Sequence, residues 1–373
     1  MIPYGRQDIN QEDIDAVIKV LQSDFLTQGP VVPAFENAVA SYCGTRYSVA
    51  VNSATSALHL ACLALGVNKG DIVWTTPITF VASANCALYC GAQIDFVDID
   101  PHSYNLSVDR LAEMLAQAKK NGNLPKVVIP VHFSGQSCDM EGIHALSQQY
   151  GFKIIEDASH AIGGRYKDGP IGSCYYSDVT VFSFHPVKII TTGEGGMILT
   201  DEEDLYHHLK ELRDHGMSRN RKYLHIALGF NYRMTNMQAA VGLAQLERFD
   251  EILDLRKKQE LLYEELLFSP ELSFRPKQDW AETVHWMMTI KINKDGIRDK
   301  LVEYLLKRGI DSRQMIFPIS YAWHFQKENN GTTFPVSESI SLNSLHLPSS
   351  TQLSIKQIED ISQAVLKGLK HCG

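Results

Sequence analysis

The sequence predicts an α/β protein built on a mostly parallel β-sheet. Two observations support this prediction: strand-like runs alternate with helical patterns, and the composition is that of a globular protein. The chain has 373 residues, of which 44% are hydrophobic and 21% are charged. A chain of this length can bury a large core, and we expect one larger and one smaller domain.

Seven strand-like runs occur in the first 201 residues, and helical patterns recur between them. The runs are YSVAVN, DIVWTT, AQIDFVDI, KVVIPVHF, FKIIEDAS, DVTVFSF and GGMILTD. Such alternation is typical of βαβ units. Ligands of parallel sheets bind near the carboxyl ends of the strands, so residues that follow these runs are candidates for a binding site.

A long helical pattern follows the predicted sheet. The stretch NMQAAVGLAQLERFDEILDLRKKQELLYEELL predicts one amphipathic helix, which FSPELSFRP ends. We expect this helix to connect a large domain of residues 1–249 with a smaller domain of residues 250–373. The smaller domain is predicted to hold strands and helices in HWMMTIKIN, IRDKLVEYLLKRGI and SIKQIEDISQAVLKGL, and QKENNGTTFP predicts a mobile loop.

Charge and hydropathy exclude several classes of function. The net charge is −8, and no run of Lys or Arg is long enough to attract nucleic acid or anionic lipid. The amino-terminal segment MIPYGRQDINQEDIDAV lacks the apolar part of an export signal, and the chain has no stretch of about 18 apolar residues. We therefore expect a cytoplasmic protein that binds neither nucleic acid nor membranes.

Two patterns resemble metal-ligand spacing, but neither predicts a metal site. His207, Glu211 and His215 lie four apart in LYHHLKELRDHG, which is typical of a solvated helix face. Cys86 and Cys90 share the segment ANCALYC, where core packing is the simpler interpretation. The seven cysteines are odd in number and scattered, which indicates reduced thiols.

The first chemical motif is VNSATSALHLACLAL. A strand is predicted to end at Asn52, and the small hydroxyl residues Ser53, Thr55 and Ser56 precede a helix that begins at about Ala57. Free backbone N–H groups, hydroxyls and the positive end of a helix dipole together suit an anion, most plausibly a phosphate. The alternative is an ordinary N-cap without a ligand.

Asp157 and His160 belong to the second motif, KIIEDASHAIGG. Asp157 follows an apolar strand, where a carboxylate would be partly desolvated and would need a cationic partner. His160 could hold a polar atom of the same ligand. The alternative is that Asp157 caps a following helix and that His160 is an ordinary polar core residue.

Lys188 stands among apolar residues in VFSFHPVKIITTGEGG. A desolvated lysine loses its proton readily, and a neutral amine forms a Schiff base with an aldehyde. Ser183 lies on the strand that leads to it. Together the three motifs require one ligand with a phosphate, a protonated ring nitrogen and an aldehyde, as in pyridoxal 5′-phosphate (PLP). The alternative for Lys188 is a surface lysine in a loop.

These motifs, in this order, resemble the DegT/DnrJ/EryC1/StrS family of PLP-dependent sugar aminotransferases over nearly the whole chain. The segments that carry the resemblance are SDFLTQGPVVPAFENAVASYCG, NSATSALHLA, TTPITFVASANCALYCGAQIDFVDID, EDASHAIGG, FSFHPVKIITTGEGG, LRDHGMSR and GFNYRMTNMQAAVGLAQLERFDE. The resemblance implies the fold type I architecture of PLP-dependent transferases, with a large, mostly parallel seven-stranded sheet domain and a smaller C-terminal α+β domain.

The resemblance also implies roles for single residues. Lys188 would form the Schiff base and move protons, Asp157 would pair with the pyridine nitrogen, and His160 would contact the phenolic oxygen. Phe80 would stack on the ring, although an apolar aromatic also fits a core position. The residues implied to bind the phosphate are Thr55, Ser56 and Ser183. Asn231 would reach the phosphate of the neighbouring subunit's cofactor, which implies a homodimer with shared active sites.

The implied reaction moves the amino group of L-glutamate to C4 of a nucleotide-linked 4-keto-6-deoxy sugar. Family members that remove a sugar hydroxyl have histidine in place of Lys188, so the lysine argues against that chemistry. The amino-terminal motifs look closest to the transaminases of pseudaminic acid biosynthesis, which convert UDP-2-acetamido-2,6-dideoxy-β-L-arabino-hex-4-ulose to UDP-4-amino-4,6-dideoxy-N-acetyl-β-L-altrosamine. The carboxyl half departs from that pattern at Ser320 in FPISYAWHFQ. A 4-aminotransferase for another nucleotide sugar, such as a GDP-perosamine or dTDP-sugar enzyme, is the alternative.

Two other classes of protein fit parts of the pattern. A nicotinamide-dependent dehydrogenase would need G-x-G-x-x-G after the first strand and an acidic residue about 20 positions later, and the sequence has neither. A non-catalytic PLP-binding protein stays open. Arg233 is a candidate for binding the carboxylate of glutamate.

Overall fold

The fold is taken from a computed structural model that describes residues 1–325 and 331–373. The strands in the first 200 residues are β1 Tyr47–Val51, β2 Ile72–Thr75, β3 Gln93–Phe96, β4 Val127–Ile129, β5 Lys153–Asp157, β6 Arg165–Tyr166, β7 Gly169–Pro170, β8 Val179–Ser183 and β9 Gly196–Thr200. Seven of them form one sheet in the order β1-β9-β8-β5-β4-β2-β3. Strand β9 runs antiparallel to both of its neighbours, β1 and β8, and the other neighbouring pairs of this sheet are parallel. All seven predicted runs are therefore strands of one mostly parallel sheet, and the predicted fold class is confirmed.

Helices cover both faces of the large sheet. They are α1 Gln11–Leu21, α2 Val31–Cys43, α3 Ala54–Ala64, α4 Ala82–Tyr89, α5 Val108–Asn121, α6 Met140–Tyr150, α7 Glu203–Arg213, α8 Asn236–Glu247 and α9 Phe249–Leu266. Alternate strand residues face opposite sides, so Val181 packs in a cluster with α3 and α4, whereas Phe182 packs in a cluster with α2 and α8. Two apolar layers hold the sheet in place.

A second sheet lies in the carboxyl-terminal third of the chain. Its region contains β10 Leu272–Phe274, β11 Ala281–Glu282, β12 Met288–Ile292, β13 Arg313–Gln314 and β14 Ser344–Leu347, with α10 Arg298–Leu306, α11 Pro335–Asn343 and α12 Ile355–Cys372. The antiparallel order is β10-β12-β14-β13. Residues of α9, α10 and α12 bury one apolar cluster against this sheet, which gives the smaller α+β unit.

The predicted single helix over residues 236–267 is wrong. The structure has two helices, α8 and α9, and Arg248 between them has φ −109° and ψ 22°. No Pro or Gly marks this break in the sequence. The Arg248 guanidinium instead donates to the Asp8 carbonyl and to the Asp13 carboxylate, which ties the junction to the amino-terminal segment.

Each end of the chain contributes residues to the part of the fold that the other end forms. Strand β11 pairs with β6 beside the large sheet, and Trp286 belongs to a core cluster of the large sheet. At the other end of the chain, Ile2 bridges to Ile310 and packs against the smaller unit. A boundary at residues 249 and 250 stays a prediction.

Two further expectations concern loops and membranes. Residues 326–330 of the predicted loop QKENNGTTFP lie outside the described residues. Within residues 1–325 and 331–373, no helix has the length and apolar character needed to cross a membrane.

Candidate active site

A cavity of about 300 Å³ opens where β5 and β8 end and where α3 begins. Its lining includes seven residues that the sequence singled out: Ser53, Thr55, Phe80, Asp157, His160, Ser183 and Lys188. The carboxyl ends of the parallel strands are thus the location of the site, as expected for this class of sheet.

Lys188 lies in the turn between β8 and β9. Its ammonium is 4.0 Å from the centre of the Trp286 ring. Burial lowers the pKa of Lys188 to about 7, and the carboxylate of Asp157 opposes that shift. A large fraction of Lys188 is therefore neutral near pH 7, in the form that attacks an aldehyde. An ordinary surface lysine does not fit these surroundings.

Asp157 is buried at the end of β5 and accepts two hydrogen bonds from the chain. The Ser83 hydroxyl donates to Oδ2 at 2.6 Å, and the Ser159 N–H donates to Oδ1 at 3.1 Å. Residues 158–163 form turns rather than a helix, so the interpretation of Asp157 as a helix cap is wrong. A buried carboxylate at this place suits a protonated ring nitrogen.

His160 is buried and stacks on Trp286, with 3.8 Å between the ring centres. Burial, helped by the charge of Lys188, holds the pKa of His160 well below its usual range, so the ring is neutral. Its Nδ1 accepts the N–H of Ser134 at 3.3 Å. The proton of the neutral ring is therefore on Nε2, which can donate to an oxygen of a ligand.

The residues of the predicted phosphate turn lie at the N-terminus of α3. Ser53 is the N-cap, and its hydroxyl accepts the N–H of Ser56. Ala54 and Thr55 line the cavity in the first turn, where N–H groups have no partner within the helix. The helix begins three residues before the predicted start, so the N-cap and the residues predicted to bind the phosphate belong to the same turn.

Gly196, at the start of β9, allows this turn to approach the sheet. A Cβ on Gly196 would lie 2.6 Å from the carbonyl carbon of Ser53 and 2.7 Å from the backbone nitrogen of Ala54. Any larger residue would push the first turn of α3 away from the strand. Gly196, in the glycine cluster that follows Lys188, therefore allows the close approach of β9 to the turn that is predicted to bind the phosphate.

Phe80 and Ser183 also meet at the cavity. Phe80 is 61% exposed, so the interpretation of Phe80 as a core residue is wrong. Its ring is available to stack on a planar ligand. Ser183 is buried at the end of β8, and its hydroxyl accepts the N–H of His185 at 3.5 Å.

Three other predicted residues are absent from the lining of this cavity. Ser56 is buried, and its hydroxyl donates to the side chain of Asn52. Asn231 is exposed and bridges to Asp214. The guanidinium of Arg233 is paired with the carboxylate of Asp214. The functional roles of Ser56, Asn231 and Arg233 stay predictions.

The geometry can be compared with known proteins. The sequence pattern of the DegT/DnrJ/EryC1/StrS aminotransferase family matches residues 7–366. The chain belongs to this family. The resemblance seen in the motifs is confirmed, and the protein is an aminotransferase of class EC 2.6.1.

Two characterised proteins are similar to this chain over nearly their full length. A GDP-perosamine synthase of Caulobacter vibrioides is 36% identical over 377 residues, which are 96% of this chain and 95% of that protein. A UDP-4-amino-4,6-dideoxy-N-acetyl-beta-L-altrosamine transaminase of Campylobacter jejuni is 35% identical over 384 residues, with 100% of both chains covered.

Solved structures of two aminotransferases have the same fold. Helicobacter pylori PseC, an aminotransferase involved in pseudaminic acid biosynthesis, superposes with a TM-score of 0.93, 28% identity and 99% coverage of both chains. The putative sugar aminotransferase Spr1654 of Streptococcus pneumoniae, in its PMP-form, gives 0.92, 26% identity and 100% coverage of both chains. The fold is therefore that of fold type I PLP transferases, and PLP is the cofactor.

The residues of the cavity fit this cofactor. Lys188 supplies an amine of lowered pKa, Asp157 an acceptor for the ring nitrogen, and the start of α3 an anion site. The exposed ring of Phe80 is available to stack on the face of the pyridine ring. The buried Nε2–H of His160 is available to donate to the phenolic oxygen of that ring.

The sequence did not single out several residues of the site. Trp286 lies under both Lys188 and His160, and its indole N–H donates to the Val187 carbonyl at 2.5 Å. The sequence of its segment, HWMMTIKIN, predicted only a strand. The position of Trp286 beside the large sheet depends on tertiary packing, which the local pattern does not show. Glu194 lines the cavity as well. Among the residues that the structure describes, no cluster of His, Cys, Asp and Glu could hold a metal ion.

Proposed function

We propose that this aminotransferase moves the amino group of L-glutamate to C4 of a nucleotide-linked 4-keto-6-deoxy sugar. Support comes from the names of its relatives, which include a GDP-perosamine synthase and a UDP-sugar transaminase. The proposed substrate is UDP-2-acetamido-2,6-dideoxy-β-L-arabino-hex-4-ulose, as in pseudaminic acid biosynthesis. The similarity to Helicobacter pylori PseC over 99% of the chain supports this choice.

One observation carries the proposal of an active transaminase: Lys188 meets Asp157 and His160 in a single cavity with its pKa lowered to about 7. A protein that only held PLP would need the neutral amine for the link to the aldehyde alone, whereas a transaminase needs the same amine to act as a base on the donor's α-carbon. Lysine is the residue that does both tasks, because its amine links to the aldehyde and later accepts a proton.

The roles of the residues follow from their chemistry. When bound, PLP supplies an aldehyde for the lysine and a ring that withdraws electrons from the carbon beside the donor's nitrogen. With PLP bound, the neutral Nζ of Lys188 would take the proton from the α-carbon of glutamate and pass it to the C4′ carbon of the cofactor. In the second half of the reaction Lys188 would move a proton from that carbon to C4 of the sugar. Asp157 holds the ring nitrogen, and His160 donates from Nε2 to the ring oxygen. Thr55 and Ser183, which line the cavity, bind the phosphate, and Phe80 covers one face of the ring. For Ser56 to bind the phosphate as well, its N–H would have to leave Ser53 or its hydroxyl would have to leave Asn52.

We further infer a homodimer with shared active sites. Asn231 is exposed and outside the cavity of its own chain, as expected of a residue that acts on the neighbouring subunit. In this arrangement it binds the phosphate of the partner's cofactor.

The substrate is tested with purified protein, glutamate and a panel of UDP-, dTDP- and GDP-linked 4-keto-6-deoxy sugars, with product mass and stereochemistry measured. We expect turnover of the UDP-linked N-acetyl sugar and of no GDP-linked sugar. Turnover of the GDP sugar alone would favour the GDP-perosamine reaction. The 36% identity to the Caulobacter enzyme supports this alternative. No amino transfer from glutamate to any sugar, with PLP bound, would contradict a transaminase.

A further inference from the structure

Two fully buried hydroxyl groups lead to the carboxylate of Asp157. Thr79 and Ser83 lie four residues apart in the segment ITFVAS, on either side of the exposed Phe80, and neither has any solvent exposure. The Thr79 hydroxyl is 2.7 Å from that of Ser83, and the Ser83 hydroxyl is 2.6 Å from Oδ2 of Asp157.

The carboxylate of Asp157, at the end of this chain of hydrogen bonds, determines which hydroxyl donates to which. A carboxylate has no proton to donate, so Ser83 must donate to Asp157. Ser83 has a single hydroxyl proton, and its oxygen is then free to accept the proton of Thr79. The carbonyl of Phe80, 3.2 Å from the Ser83 hydroxyl, is the weaker alternative acceptor.

Both oxygens of the carboxylate are thereby held. Oδ2 accepts from Ser83, and Oδ1 accepts from the N–H of Ser159. Rotation of the carboxyl group would break both hydrogen bonds inside a buried site, where an unpaired polar group is costly. The lone pairs of the Asp157 carboxylate that accept neither hydrogen bond therefore point in one fixed direction.

We propose that Ser83, supported by Thr79, is a positioning residue that aims Asp157 at the ring nitrogen of PLP. The inference rests on the proposed role of Asp157. Because the two hydroxyls flank Phe80, one short segment then sets both the ring face and the ring nitrogen. Ser83 acts on the ring through Asp157 and touches neither PLP nor substrate in this proposal.

The test compares PLP with its deaza analogue, in which carbon replaces the ring nitrogen. Dissociation constants for both compounds are measured by titrating the cofactor-free protein and following visible absorbance. We expect S83A to weaken PLP binding about tenfold, the size expected for losing a hydrogen bond to a charged group. Binding of the deaza analogue should be unchanged, because that ring has no nitrogen for Asp157 to hold.

Matched variants separate positioning from packing. T79V removes the second hydroxyl at constant shape and should weaken PLP binding less than S83A, whereas T79S keeps the hydroxyl and should match wild type. S137A removes another fully buried hydroxyl, which donates to the Cys138 carbonyl, and should change neither constant. In a D157N background, S83A should have no further effect on PLP binding.

Several results would overturn the proposal. Equal losses for PLP and the analogue in S83A would mean that Ser83 only supports the fold, and no loss for either compound would mean that it has no role. If S83A does not fold, the same two dissociation constants are compared between T79V and T79S. A loss of PLP affinity in T79V alone, without a loss for the analogue, supports the proposal, and equal losses or none contradict it. Failure of the proposed function is distinguished by borohydride treatment of wild type with PLP: if peptide mapping finds no label on Lys188, the chemistry itself is wrong, whatever Ser83 does.

Discussion

Lys188 shows how a single side chain acquires its reactivity from its surroundings. Burial lowers its pKa from 10.5 to about 7, and the nearby Asp157 carboxylate raises it again in part. The Trp286 ring centre lies 4.0 Å from the ammonium, so the amine faces an aromatic ring on that side and not a carboxylate. The lysine is thus close to the balance between its two protonation states at neutral pH.

The rate at which cofactor-free protein captures PLP should therefore rise with pH through about 7 and level off above it, since only the neutral amine attacks the aldehyde. An ordinary lysine would still be gaining reactivity up to about pH 10.5. Stopped-flow absorbance across a pH series gives the midpoint.

The neighbouring carboxylate provides the control for this midpoint. Asp157 raises the pKa of Lys188, so D157N should move the midpoint to lower pH. K188A should capture no cofactor at any pH. A midpoint near 10 in the wild-type protein would contradict the burial argument.

Helix α3 serves both the fold and the site at its first turn. Ser53 caps the helix, and the next residues line the cavity. Helix α12 has an equivalent cap, in which the Ser354 hydroxyl accepts the N–H of Gln357, but it lies in the smaller unit. The two caps offer a matched comparison between stability and function.

S53A and S354A should each lower the free energy of unfolding by about 1 kcal/mol, the usual cost of removing a serine cap. Only S53A should also weaken the binding of PLP, because it disturbs the turn that receives the phosphate. Urea unfolding and cofactor titration measure the two effects. A loss of PLP affinity in S354A as large as in S53A would show that the effect arises from general destabilisation.

At the scale of the whole molecule, the candidate site is formed by segments that are far apart in the sequence. Residues from the first turn of α3, the ends of β5 and β8, and the Trp286 segment meet in one cavity. Asn231 is exposed outside it, which is the basis for the proposed shared site.

A mixing experiment tests that proposal. K188A and N231A dimers, each of low activity, are unfolded together, refolded and assayed. If Asn231 serves the partner's site, each mixed dimer has one intact site, and random mixing of a two-fold dimer restores about a quarter of wild-type activity. No recovery, although mixed dimers are detected by mass, would mean that Asn231 acts within its own chain or not at all.

The candidate site was readable in the sequence because the residues proposed for catalysis and binding stand close to strand ends. Lys188, Asp157 and Thr55 follow runs whose alternation with helices predicts a parallel sheet, and parallel strands bring their carboxyl ends to one edge. Local pattern and global topology agree at these positions. For that reason the fold class and the cofactor followed from the order of the motifs.

Other features depended on contacts between segments far apart in the chain. Trp286 reaches Lys188 and His160 only through the packing of its strand segment against the large sheet. The break at Arg248 comes from hydrogen bonds to Asp8 and Asp13 and has no local signal, because helix propensity there is uninterrupted. Periodicity describes neighbours along the chain, whereas orientation, burial and the pKa of Lys188 depend on which distant surfaces meet.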